Sequence, residues 1–289
     1  MDLRQSPQYA DYLQLLGWKI GRIGSCQIFI RQFPLIGSII KIQRPEKMPS
    51  LEQILQLAKR YRASQILIEP SKPFNHLTIQ PFSDYGFRPS SPSLPSKTLH
   101  IDLTRNEDQI FSGFTPAKRR AIRRAIKNKV MIKESEDIES FIRLKNAQHG
   151  FLGRILKVDK QFHALWQAFR PQKTILLLAF DTFDTLGTLD TFIPVAGLLL
   201  LFHDKIAYYY QAVSTKQGNQ LAAPSFLVWE ALKLAKKKGC QTFDFEGIDD
   251  SRFSQKSWLG FTKFKKGFGG KEITYPPPLA KNSLQLVAR

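Results

Sequence analysis

The chain has 289 residues, 43% of them hydrophobic, with a mean hydropathy of −0.25. These values exclude a disordered chain and leave room for one large core or two modest ones. Lys and Arg number 43 against 24 acids, a formal charge of +19 that calls for a polyanionic partner: nucleic acid, an anionic membrane face or a phosphorylated substrate.

In chain order, Ser6-Pro7 reads as an N-cap followed by proline at the first helical position, opening a helix to about Leu16. Residues 26–42 carry two apolar runs separated by Pro34 and Gly37, which predicts two strands and a turn. Ser50 and Gln53 have capping-box spacing, and Leu51, Ile54, Leu55 and Ala58 supply a helical apolar face to about Ala63. Gln65 to Glu69 reads as a strand stopped by Pro70. A Pro- and Ser-rich loop over 89–96 then leads to a strand from Thr98 to Leu103. The order is that of a mixed α/β protein.

Thr115-Pro116 opens the most distinctive helix. From Thr115 to Lys133 there are eight basic residues and no acid, with Ala121, Ile122, Ala125 and Ile126 as a narrow apolar stripe. Like charges one turn apart repel and are usually relieved by acids, so an uncompensated run predicts an anion-binding face. Helices are expected over 136–147 and 160–169, and strands buried on both faces at Thr174–Phe180 and Val195–Phe202. The low-complexity stretch 181–191 between them reads as a hairpin tip. A strand at Ile206–Ser214, a helix from about Ala222 to Lys238 closed by Gly239, and a strand at Thr242–Glu246 follow. Tyr275-Pro276-Pro277-Pro278 has polyproline character and is expected to end the packed region.

Cys26 and Cys240 form no metal or disulfide pattern, which suits a reducing cytosol. No signal-peptide core opens the chain, and apolar runs such as 197–202 fall far short of the roughly 20 residues of a spanning helix. A cytoplasmic location is therefore expected, with peripheral docking on the inner membrane face open to a surface this positive. Gly267-Phe268-Gly269-Gly270-Lys271 fails both the P-loop and the dinucleotide spacings. The five histidines never pair at i, i+4, so neither a metal nor a cofactor is expected.

Several phrases occur in a telling order. They are Ile68-Glu69-Pro70; Tyr85-Gly86-Phe87 with the 98–103 strand; Lys118-Arg119-Arg120-Ala121-Ile122-Arg123-Arg124-Ala125; Tyr208-Tyr209-Tyr210; and Trp229-Glu230-Ala231 through Gly239. Phe243-Asp244-Phe245-Glu246-Gly247-Ile248 and Phe264-Lys265-Lys266-Gly267-Phe268-Gly269-Gly270 close the series. The series resembles the FemAB family, whose members end in a "WE…A…G" helix, an "FDFxGI" strand and an "FKxxFGG" turn. The resemblance implies two GNAT-like subdomains with mixed sheets facing a common cleft. They are placed at 1–113 and 114–273, with the tail 274–289 able to pack on the first. No long heptad segment is present, so no coiled-coil arm is expected.

The resemblance also implies the chemistry: transfer of an amino acid from aminoacyl-tRNA to the stem peptide of a UDP- or lipid-linked muramyl-peptide. Such an ester is already activated, so positioning, proton removal and oxyanion stabilisation suffice without an enzyme nucleophile. Lys265, flanked by Phe264 and Phe268 and followed by glycines, suits a 3′-terminal phosphate or the developing oxyanion; equally, it reads as a solvated lysine in a β-turn between core phenylalanines. Glu69 at a strand end is a candidate to orient the amine. Tyr208 and Tyr210, two apart on a strand, face one side and are candidate substrate contacts, as are Arg154 as a pyrophosphate clamp and Lys19. Lys118, Arg119, Arg120, Arg123, Arg124 and Lys266 are the candidate tRNA cations. An acyl-CoA-dependent GNAT acyltransferase and tRNA-dependent transfer to a protein N-terminus are the competing readings.

Overall fold

A computed structural model describes residues 1–72, 82–148, 159–182 and 193–282. The chain divides into two compact units. One comprises Met1–Lys97, Asp250–Ser254 and Thr274–Arg289; the other comprises Thr98–Asp249 and Gln255–Ile273.

The first unit opens with α1 (Pro7–Leu15), where the Ser6 hydroxyl accepts from the Tyr9 amide. Strands β1 (Lys19–Ile23), β2 (Cys26–Phe33) and β3 (Gly37–Gln43) form an antiparallel meander. Helix α2 (Leu51–Arg60), capped by Ser50, carries the chain over to β4 (Ala63–Glu69), which lies parallel to β3. Buried Ile54 and Ala58 put the predicted apolar face of α2 on Ile40, Ile42, Ile66 and Ile68. The sheet order is β1-β2-β3-β4-β13-β5, with β5 at Arg88–Pro89 and β13 at Leu279–Asn282. The polyproline segment therefore does not end the packing. It delivers β13 into the sheet between β4 and β5, antiparallel to both.

The second unit begins with β6 (Lys97–Asp102), α3 (Glu107–Ser112), the basic helix α4 (Pro116–Lys127) and β7 (Met131–Ser135). Helices α5 (Ile138–Gln148) and α6 (Asp159–Phe169) follow, then β8 (Thr174–Phe180), β9 (Pro194–His203) and β10 (Ile206–Ser214). After α7 (Lys216–Gln220), the long helix α8 (Ala223–Lys237) crosses over to β11 (Thr242–Asp244), which lies parallel to β10. Helix α9 (Leu259–Lys266) and β12 (Lys271–Thr274) complete it. The sheet order is β12-β6-β11-β10-β9-β8-β7. Every residue of β8 except Phe180 and every residue of β9 except His203 is buried, as their unbroken apolar runs require. Helix α8 packs on β8, β9 and β10, and α5 packs on β9 and β10. Phe141 of α5 presses on Gly197, where a Cβ would lie 2.8 Å from its ring.

The division falls between Lys97 and Thr98, at the first residue of β6, rather than after residue 113. Thr242–Asp244 pairs with residues 100–102, and Ile110 and Phe114 are buried in the second unit's core. The predicted strand 242–246 stops at Asp244, because Glu246 and Gly247 take positive φ values of 56° and 121°. From residue 183 on, the predicted 181–191 hairpin tip lies outside the described residues. The longest described helix, α8, has 15 residues. No described helix is long and apolar enough to cross a membrane.

Candidate functional site

The FKKGFGG phrase is not a β-turn but the last turn of α9 and its exit. Phe264, Lys265 and Lys266 are helical, and Gly267 caps the helix. The glycines are there for close approach: a Cβ on Gly269 would lie 2.6 Å from the Gly113 carbonyl oxygen, and one on Gly270 2.5 Å from that of His100. Gly269 and Gly270 also hold φ at +72° and +97°. The Thr115 amide donates to the Gly267 carbonyl at 2.9 Å, so the start of α4 is tied to the end of α9. Phe268, fully buried, fills the space between Phe114, Phe245 and Phe264 with ring centroids 5.2–5.7 Å away.

Lys265 turns inward from α9 and is 8% exposed. Its Nζ donates to the carbonyl oxygens of Phe245 at 2.8 Å and Gly247 at 2.7 Å, with the rings of Phe261 and Tyr209 at 4.9 and 5.3 Å. Burial pushes its pKa down to about 8, partly offset by the negative charges of Glu246 and Asp244. The left-handed turn at Glu246 is what brings two carbonyls, two residues apart, onto one ammonium. Beneath that loop, the buried Asp244 carboxylate accepts from the Thr98 hydroxyl at 2.5 Å, the Glu246 amide at 2.8 Å and His100 Nε2 at 3.1 Å. Burial alone would raise the Asp244 pKa; these hydrogen bonds outweigh it and hold the carboxyl below its ordinary value. Asp244 is not among the site residues that the sequence suggests. Its signal was a lone carboxylate between Phe243 and Phe245 on a core strand.

The basic helix is not uniformly solvated. Arg120, Arg123 and Arg124 are exposed and make no ion pair among the described residues, as a basic face requires. Arg119 instead turns back, its Nη1 donating to the carbonyls of Ser112 and Phe114 at 2.8 and 2.5 Å. Lys118 lies with its Nζ 3.5 Å from the Phe264 ring centroid and 4.9 Å from that of Phe268. Burial pushes its pKa to about 8. Lys266 pairs with Glu272 at 2.6 Å.

Tyr208 and Tyr210 do not face one side together. A β-bulge between Tyr209 and Gln211 breaks the alternation, leaving Tyr208 1% exposed and Tyr210 half-buried. The tyrosine that meets open space is Tyr209. With Gln148, Ser214, Asn219, Phe261 and Phe264 it lines a cavity of about 220 Å³ beside the first turn of α8. Burial raises its phenol pKa above the ordinary tyrosine value.

In the first unit, Glu69 is buried. Its two carboxylate oxygens accept from the amides of Ser93 and Leu94, the Ser93 hydroxyl and Gln43 Nε2, all at 2.7–2.8 Å. The carboxylate therefore has its acceptor positions filled by the 93–94 loop and Gln43, a tethering arrangement rather than one open to an incoming amine. Lys19 is exposed at the start of the edge strand β1. Arg154 lies outside the described residues. Among the described residues, no three His, Cys, Asp or Glu side chains are grouped to hold a metal.

Residues 187–276, which include the α8, FDFEGI and FKKGFGG segments, match the model of the FemAB family. The lipid II:glycine glycyltransferase of Staphylococcus aureus is 21% identical, over 93% of this chain and 85% of that protein. The crystal structure of FemX superposes with a TM-score of 0.78 at 18% identity, covering 99% of this chain and 93% of that one. A tandem GNAT protein from the clavulanic acid biosynthesis pathway shares the fold at a TM-score of 0.51 and 10% identity, over 89% and 82% of the two chains. The two mixed sheets, each with one parallel pair joined by a crossover helix, are thus GNAT-like in fold, and the segment 187–276 is similar to the FemAB family.

Proposed function

We propose that this chain is an aminoacyltransferase that moves an amino acid from an aminoacyl-tRNA to the stem peptide of a peptidoglycan precursor, UDP- or lipid-linked. One observation in the second unit carries the reading. An uncompensated basic face on α4 ends at the α9 exit, beside a cavity with no charged lining residue, and two lysines, Lys265 buried and Lys118 half-buried, lie against the rings of its wall. A polyanion with a small neutral end group suits that arrangement.

In the reaction, the stem-peptide amine attacks the ester carbonyl carbon. The tetrahedral oxyanion collapses with cleavage of the carbon–oxygen bond to the ribose, and the ribose hydroxyl leaves with the proton the amine gives up. The protein's part is to align the two reactants and to stabilise the oxyanion with fixed charge. Lys265, held by two carbonyls in a site shielded from water, supplies such a charge with its geometry set in advance. An acyl-CoA donor fits less well. Pro224 at the start of α8 removes one of the amides that a pyrophosphate would use there.

The test is to incubate the protein with a mixed aminoacyl-tRNA pool and either UDP-muramyl-pentapeptide or lipid II, and to weigh the products. The expected result is a mass gain of one aminoacyl residue on one acceptor, abolished by ribonuclease. No gain on either acceptor with any pool, or a gain with acyl-CoA alone, overturns the proposal.

A further inference from the structure

The cations of α4 differ in what their charges meet. Arg120, Arg123 and Arg124 point into solvent, and Arg119 is spent on two backbone carbonyls. Lys118 is half-buried and has neither a carbonyl nor a carboxylate within hydrogen-bond reach among the described residues. Among the described residues its polar contact is the Ser225 hydroxyl, at 3.5 Å. Two phenylalanine faces hold its ammonium instead.

The backbone beside it is kept clear. A Cβ on Gly267 would lie 2.7 Å from Lys118 Cε. One of the two rings, Phe264, also lines the 220 Å³ cavity, and Ser225 follows the lining residue Pro224. Lys118 therefore shares the Phe264 ring with the cavity without itself lining it. The lining offers amide and hydroxyl groups (Gln148, Asn219, Ser214, Tyr209) and aromatic faces (Phe261, Phe264), with no acid. Neutral hydrogen-bonding groups, a stacking surface and one cation against a wall ring suit a single-stranded nucleotide end.

We infer that Lys118 seats the terminal phosphodiester of a single-stranded RNA 3′ end whose last nucleoside enters this cavity. The inference rests on the RNA-donor reading above and deepens it. Lys118 grips the end of the donor, whereas Arg120, Arg123 and Arg124 meet its stem. Lys265, whose ammonium is already engaged by Phe245 and Gly247, does not take that phosphate. The lowered pKa of Lys118 agrees, since a buried ammonium without a counter-ion gains from an anion.

The probes are a 5′-phosphorylated CCA trinucleotide and a minihelix ending in CCA, titrated against the full chain. Lys118→Met, which keeps the stem, should weaken trinucleotide binding by about 10- to 100-fold, the worth of a charge-assisted hydrogen bond. Lys118→Arg should restore most of it. An Arg123→Ala/Arg124→Ala double variant should weaken the minihelix far more than the trinucleotide. Trinucleotide binding by Lys118→Met equal to the parent's overturns the inference. So does a loss that Lys118→Arg fails to rescue and that a lowered melting temperature accompanies, because Lys118 is then a packing residue. Loss of binding to phosphatidylglycerol vesicles without loss of the trinucleotide also overturns it, in favour of a lipid phosphate. If every transfer assay fails while trinucleotide binding still depends on Lys118, the transfer reading falls and this site stands. If transfer succeeds but binding ignores Lys118, this inference falls alone.

Discussion

Lys265→Met keeps the buried stem and removes the ammonium, so it separates the charge from the packing. At pH 7 two effects oppose each other. The carbonyls of Phe245 and Gly247 lose their donor, and a buried acceptor without a partner costs about 1–3 kcal/mol, hence about 4 kcal/mol for the pair. Against that, the parent holds a buried charge whose pKa falls from 10.5 to about 8, a gap that corresponds to about 3 kcal/mol. The variant should therefore be only about 1 kcal/mol less stable at pH 7, a drop of about 2–4 °C in melting temperature for a unit of this size.

The pH dependence is the sharper signature. Between pH 8 and 10.5 the unfolded chain keeps a proton on Lys265 that the folded chain has released, so this residue makes the parent more stable as pH rises through that window. The variant lacks the group, and the gap between the two proteins should widen by about 3 kcal/mol toward pH 10.5. Urea denaturation of both proteins at pH 7, 8.5 and 10, followed by tryptophan fluorescence, measures this. A gap that stays flat with pH would show that the ammonium is not buried against the 245–247 loop. Single-turnover transfer should fall by about 100-fold in the variant if the charge also serves the oxyanion.

Reversing charge at Arg123 and Arg124 should weaken tRNA binding and lower the slope of log affinity against log salt by about 2; an unchanged slope would make this face merely solvated. Gly270→Ala should cost about 1–3 kcal/mol or more, because the backbone is left-handed and the new Cβ meets the His100 carbonyl 2.5 Å away; a parental melt would contradict that approach. Glu69→Gln should speed proteolytic cleavage within 89–96, since the tether loses its charge and gains a donor where donors already point. Parental cleavage rates would show that the loop is held by something else.

What the sequence made legible follows the length scale of each signal. The buried runs of β8 and β9, the apolar face of α2 and the Gly239 stop of α8 are local patterns, and they lie where periodicity and capping put them. Strands β1, β7, β12 and β13 are short, half-exposed or polar, and β13 owes its place to β4 and β5 far upstream, which no window could see. Tyr208 and Tyr210 were read by a two-residue alternation that a single bulged residue cancels. Glu69 reads as a strand-end acid free to orient an amine because its partners sit 24–26 residues on or back, in segments with no carboxylate-binding signature. Lys265 was singled out by its phrase, but its engagement by two backbone carbonyls depends on the left-handed Glu246, a conformation that side-chain identity does not announce.

Strand β13 also sets a timetable for synthesis. Asn282 meets Gln65 across 217 residues, and Leu279–Asn282 is what joins β4 to β5. While a ribosome is still making the second unit, the nascent first unit carries an unfilled slot with the hydrogen-bonding edges of β4 and β5 bare. Such edges recruit other strands, and closing so distant a pair is slow compared with local folding. The emerging chain is thus most vulnerable to misassembly late in translation, when most of its core has formed and four residues of sheet are still to arrive.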